Sequence, residues 1–232
     1  MVISKDIRVE SVERYVKAFM AKYDSSHDWL HVQRVRAMAH KIGSSLNNVD
    51  LELVDLAALL HDVGDAKYGP EESAATIIAN LLEEVEFSKA FIDKVCFIVE
   101  NVSFRKELAL IEKGEANSIY ENNLELCCVQ DADRLDAIGA IGIARCMAFS
   151  GAKNIPIYDP DVSPIDGLTA SLYNIQTTSR QGTAVNHFYE KLFLLPDLMK
   201  TELGKNIAKD RTILMKDFVA NITEECTFSP LS

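Results

Sequence analysis

The chain is poor in the features that mark several protein classes. Its 232 residues hold five cysteines, an odd number with no CxxC spacing, which excludes a disulfide framework and a zinc-knuckle pattern. Most of these cysteines, Cys96, Cys127, Cys128, Cys146 and Cys226, fall in helical apolar patterns, where a free thiol behaves as a small hydrophobe. Ten glycines, six prolines and the lack of any low-complexity tract exclude a collagen-like or largely disordered chain. Cationic residues are also few. Lys and Arg number 24 against 35 Asp and Glu, a formal charge of −11, which argues against a broad grip on a nucleic-acid polymer or an anionic membrane. No stretch reaches the roughly 18 uncharged apolar residues of a membrane span, and the N-terminus has no leader pattern. With the cysteine usage, this predicts a cytoplasmic protein. Nothing in the sequence specifies an oligomeric state.

What the chain does have is helical periodicity. Hydrophobic residues make up 48%, enough for one large core, and no useful strand-like alternation or internal repeat occurs. The expected class is all-α. Val12, Tyr15, Val16, Phe19, Met20 and Tyr23 share one helix face, and His31, Val35, Met38 and Ile42 share another up to Gly43. Asp50 is the candidate cap of a third helix through Leu60, and Pro70 is expected to open a fourth with Ile77, Ile78, Leu81 and Leu82 inside. Phe91 to Val102 is a fifth. Residues 104–122 are expected to be a connection with a short helix, and 150–182, rich in Pro and Gly, a rim or lid. Two C-terminal helices follow, about 183–195 and 197–224, with Leu198, Leu203, Ile207, Ile213, Leu214 and Phe218 facing inward.

The chemistry lies where ionisable residues interrupt apolar helices. His61 and Asp62 end the run from Asp55 to Leu60, next to Gly64. Imidazole and carboxylate together suit a divalent metal, and neighbours about 100° apart on a helix can share an ion only near its end. Asp65 lies on the same face, one turn on. His31 stands on the inner face of the second helix. Asp131, Asp133 and Asp136 sit in the most apolar segment, about residues 124–149, where an unpaired charge is costly. A single ion explains all three anomalies.

The order His, His-Asp, Asp resembles the HD superfamily of metal-dependent phosphohydrolases. The spellings HDWLH from His27 with Arg34-Val35, HDVGD from His61 with Lys67, and DADRLDAIGA from Asp131 with Arg145 are similar to its small YedJ/YpgQ-like branch. Asn186 to Leu192 and the continuation to Arg211 look similar too, so the resemblance spans nearly the whole chain. It implies a single domain over residues 1–232, with a core of about 25–140 and C-terminal helices at 183–224 packed on it. The resemblance assigns one divalent ion, Mn, Fe, Co, Ni, Zn or Mg, to His31, His61, Asp62 and one of Asp131 or Asp133. Asp133 is preferred because it matches the family's Ala-Asp-Lys/Arg-Leu pattern, and Asp131 points about 200° away.

Asp65 then inherits the role of orienting the attacking water. Lys67 and Arg134 are candidate catalytic cations, and Arg145, Lys191 and His27 are candidate substrate contacts. Residues 98–103 hold none of the additional histidines of multinuclear relatives, which favours one ion. The implied substrate is a small phosphate compound, a nucleotide, with triphosphate cut to monophosphate and pyrophosphate. The alternatives are a nucleotide phosphomonoesterase or phosphodiesterase, or an HD-fold ligand-binding protein in which metal is a structural staple.

Overall fold

In a computed structural model of the chain, every regular element among the described residues, 7–23, 27–64, 73–165 and 182–226, is helical. The described residues form two compact units, those up to Asp133 in the first and those from Arg134 on in the second. The first holds α1 (Ile7–Met20), α2 (Trp29–Gly43), α3 (Leu51–Leu60), α4 (Ala74–Glu84), α5 (Lys89–Val102), α6 (Phe104–Lys113), α7 (Ala116–Tyr120) and most of α8 (Leu124–Asp136). The second holds the end of α8, α9 (Gly139–Ala152), α10 (Ala184–His187), a π turn (Phe188–Leu192), a 3-10 turn (Leu195–Leu198) and α11 (Glu202–Cys226).

In the first unit α2 packs on α3, α3 on α5 and α4 on α5. The apolar stripe of each helix supplies the core: Val12, Val16 and Met20, then Val32, Val35 and Ile42, then Leu56, Leu59 and Leu60, then Ile78, Leu82, Ile92 and Val95. Short polar side chains fix the starts. Asp28, Asp50, Ser73, Ser88 and Ser103 each accept a hydrogen bond from a backbone N–H in the first turn of the helix that follows.

Several expectations need correction. The fourth helix starts at Ala74 behind Ser73, and Pro70, Glu71 and Glu72 fall outside the described residues. Residues 104–122 carry two helices instead of a connection. Ser103 ends α5 in an extended conformation while capping α6, and Gly114 closes α6 in the left-handed region at φ 71°. The 183–195 helix is α10 followed by the π turn and the start of the 3-10 turn, while Asp197 and Leu198 precede α11 in that 3-10 turn. On α11, Ile213 and Leu214 are 57% and 46% exposed. Gly204, Ala208, Met215 and Val219 are the buried residues, and the helix packs against α9. Residues 150–152 continue α9, and 166–181 fall outside the described residues.

Candidate metal centre

Three elements of the first unit supply the centre. His31 stands in the first turn of α2, where Asp28 accepts its backbone N–H at 2.9 Å and fixes the start of the helix. His61 and Asp62 follow the last residue of α3, and Gly64 then turns the chain at φ 74°. A Cβ on Gly64 would lie 2.6 Å from Ala74 Cα, so glycine is needed for both conformation and space. Asp133 comes from α8.

These donors converge. His31 Nε2 lies 3.1 Å from His61 Nε2, 3.3 Å from Asp62 Oδ2 and 3.7 Å from Asp133 Oδ1. His61 Nε2 lies 3.4 Å from Asp62 Oδ2 and 3.8 Å from Asp133 Oδ1. Ligand atoms about 2.1 Å from a shared ion are roughly 3.0 Å apart at a right angle and about 3.4 Å apart at a tetrahedral angle. The observed spacings fall around those values.

The chemistry of the cluster also calls for a cation. His61 Nδ1 donates to the Ala58 carbonyl at 2.8 Å, which leaves a lone pair on Nε2 when the ring is neutral. A proton on His31 Nε2 can serve only one of the acceptors facing it. Asp62 Oδ2 is buried and has no hydrogen-bond donor in good geometry, a costly state for a carboxylate oxygen. Burial pushes the Asp62 carboxyl up, but His61, His31 and His27 outweigh it and hold it well below the usual carboxylate range. The cluster thus favours positive charge, carried by protons on the imidazoles or by an ion. The residues present fit a divalent metal.

Of the residues singled out in the sequence, the structure brings together His31, His61, Asp62 and Asp133, with the His27 ring 5.9 Å from that of His31. Asp131 is fully buried and Asp133 is 29% exposed, as their opposed directions on one helix require. Arg134 is 3% exposed. Arg145 donates to Asp136, both to its carbonyl and to Oδ2 at 3.2 Å, and Lys191 is half-buried in the π turn. Asp65 and Lys67 lie outside the described residues.

Sequence reasoning missed two supports, the Ala58 carbonyl that orients His61 and the ion pair of Arg36 with Asp55. Neither leaves a local signature, since one is a carbonyl direction and the other a contact across 19 residues.

The HD-domain family model matches residues 29–138, the stretch from the start of α2 through His31, His61, Asp62 and Asp133 to the end of α8. The chain belongs to the HD-domain family. The uncharacterized protein YpgQ of Bacillus subtilis (strain 168) is 31% identical over 221 residues, covering 94% of this chain and 93% of YpgQ. A crystal structure of a Lactobacillus plantarum protein aligns with a TM-score of 0.80 at 34% identity, over 97% of this chain and 98% of that one. The crystal structure of YpgQ in complex with ADP aligns at 0.69 and 30% identity, over 94% and 97% of the two chains. That of an HD-superfamily hydrolase from Bacillus thuringiensis also aligns at 0.69, with 34% identity over 96% and 98%.

Among the described residues, no single helix is long and apolar enough to cross a membrane.

Proposed function

We propose that this protein is a metal-dependent phosphohydrolase acting on a small nucleotide, and that it cuts a nucleoside triphosphate to monophosphate and pyrophosphate. The observation that carries the reading is the convergence of His31, His61 and Asp133 within reach of one divalent ion, with Asp62 Oδ2 beside both imidazoles. When bound, the ion would act as a Lewis acid on a phosphoryl oxygen and would lower the pKa of a water ligand. Support for a nucleotide comes from the relative YpgQ, one of whose crystal structures is a complex with ADP.

The remaining roles fall to the chain's own side chains. Asp65 orients the attacking water and accepts its proton. Lys67 and Arg134 offset the charge that develops on the phosphoryl oxygens, and Arg145, Lys191 and His27 contact the substrate. Arg145 already donates to Asp136, so it contributes as a charge held in place. Residues 1–232 act as one HD-type domain in this reading.

The test strips the protein with chelator, restores Mn, and follows a panel of nucleoside triphosphates by phosphorus NMR beside an Asp62→Ala control. Pyrophosphate with monophosphate, only with metal and intact Asp62, is the expected result. Orthophosphate as the product moves the reaction to phosphomonoesterase chemistry. No turnover by a metal-loaded wild type supports the ligand-binding alternative.

A further inference from the structure

The two helices that carry the histidines touch through a second polar contact, away from the centre. Arg36 lies five residues after His31 on α2, and Asp55 lies six residues before His61 at the end of α3. Their pairing is a two-pronged fork: Arg36 Nε donates to Asp55 Oδ1 at 2.5 Å and Nη2 donates to Asp55 Oδ2 at 2.7 Å. The third nitrogen, Nη1, donates to Glu13 Oε2 of α1 at 2.9 Å. All three side chains are largely enclosed, with 15% of Arg36, 27% of Asp55 and 26% of Glu13 exposed. Burial acts to lower the Arg36 pKa, yet the two carboxylates outweigh it and leave it raised, as a tightly held guanidinium should be.

The two contacts together define the helix pair. His31 meets His61 and Arg36 meets Asp55, so the contact points advance along α2 while they recede along α3, and the helices run antiparallel. At about 1.5 Å rise per residue the fork sits roughly 8 Å from the histidine contact. The apolar stripes already pack the pair, and one polar contact adds to that packing a single fixed point. Two such contacts separated along the axis fix slide and roll, and a slip of a single residue would displace His31 by far more than the ~0.2 Å tolerance of a metal–ligand distance. The bidentate guanidinium–carboxylate pair adds a directional constraint to the apolar packing, because it has one low-energy alignment.

We propose that Arg36 is a positioning residue for the metal centre: by forking onto Asp55 it sets the register of α2 on α3 and so the approach of His31 to His61 and Asp62. This rests on the metal reading of the cluster. The fork is not replaceable by a point charge, because Lys has no second prong to fix the angle between the helices.

The test is a titration of the chelator-stripped chain with Co(II), whose visible absorption reports ligand geometry as well as occupancy. Wild type is expected to take up one equivalent. Arg36→Met is expected to lose about 10- to 100-fold in Co(II) affinity, with a changed band, as supporting residues around metal ligands do when removed. Arg36→Lys falls between, and Asp55→Asn moves in the same direction as Arg36→Met. The double variant loses no more than the worse single one, since both remove one clamp. Val12→Ala, a buried truncation in α1, lowers Tm while leaving affinity and band at wild-type values. A folded Arg36→Met with wild-type affinity and band overturns the proposal, and so do additive losses in the double variant. If Arg36→Met does not fold, an unaltered Asp55→Asn overturns it equally. A wild type that takes up no Co(II) overturns the metal reading itself, and the positioning role with it.

Discussion

Asp62 is the residue whose surroundings are least explained by the protein alone. Its Oδ2 is buried, faces two imidazoles and accepts no well-aligned hydrogen bond, an environment that a cation would complete. Asp62→Asn is expected to fold with a lowered melting temperature when metal is absent, because the facing imidazoles favour the ionised carboxylate that the amide lacks. The same variant is expected to lose metal uptake, read by Co(II) absorption, and metal-dependent turnover. Retention of both would assign the ion to other residues. Gly64 is the neighbouring residue with least freedom to change. Gly64→Ala combines a left-handed backbone, costing about 1–2 kcal/mol for a side chain with a Cβ, with the approach to Ala74. At ~2–4 °C per kcal/mol for a chain of this size, a fall in Tm of several degrees is expected by calorimetry. A melt within one degree of wild type would show that the loop relieves the contact.

Elements were legible in the sequence wherever an apolar stripe met a recognisable cap. Asp50 marks the start of α3, and the His31 face of α2 follows from its phase with Val35 and Ile42. What misled was size. On α11 the large residues Ile213 and Leu214 suggest the inner face, but the buried residues are Gly204, Ala208, Met215 and Val219. A periodicity count weights bulky side chains and is blind to small ones. Likewise α6 is hard to read because Ser103, its cap, ends α5 without a Gly or Pro to announce a break. Of the candidate centre, the residue types and their order were legible. The Ala58 carbonyl and the Arg36–Asp55 fork were not, because a carbonyl direction and a contact across 19 residues have no local sequence signature.

The α11 correction makes a contrast that can be measured. Ile213→Lys, on the exposed face, is expected to change unfolding free energy by less than about 0.5 kcal/mol. Ala208→Leu is expected to cost roughly 1–3 kcal/mol by overpacking, because Ala208 is fully buried. Urea unfolding of the two variants checks the assignment, and the reverse order would restore the larger residues to the inside.

Over the whole molecule, two solution properties follow from groups in different parts of the chain. Burial pushes the Cys128 thiol up to about 12, helped by Cys127 and Asp131, and pushes Cys146 up to about 11. A group whose pKa is raised on folding adds stability that is complete below its unfolded value and is lost as pH climbs through the folded one. For these thiols the ordinary value is 9.0, so stability is expected to decline between about pH 9 and the range of 11 to 12. Thermal melts across that interval check this, and Cys128→Ala is expected to flatten the decline. An unchanged slope in that variant would place the titration elsewhere. The second property is metal linkage. A divalent ion at 100 times its dissociation constant adds about 2.7 kcal/mol to the state that binds it, so the melting temperature of the stripped protein is expected to rise on adding Mn and fall again with chelator.

His61 and Asp62 are consecutive, and both stand beyond the last residue of α3 on the turn that Gly64 closes. One local opening of that turn would therefore withdraw two of the four proposed ligands at once. An ion held as proposed would then leave through the fraying of a single helical end. Residence time becomes a kinetic property of one peptide turn, separable from equilibrium affinity. Amide exchange at Val63 and Gly64 would keep time with the ion, slow while it is held and fast once it has gone.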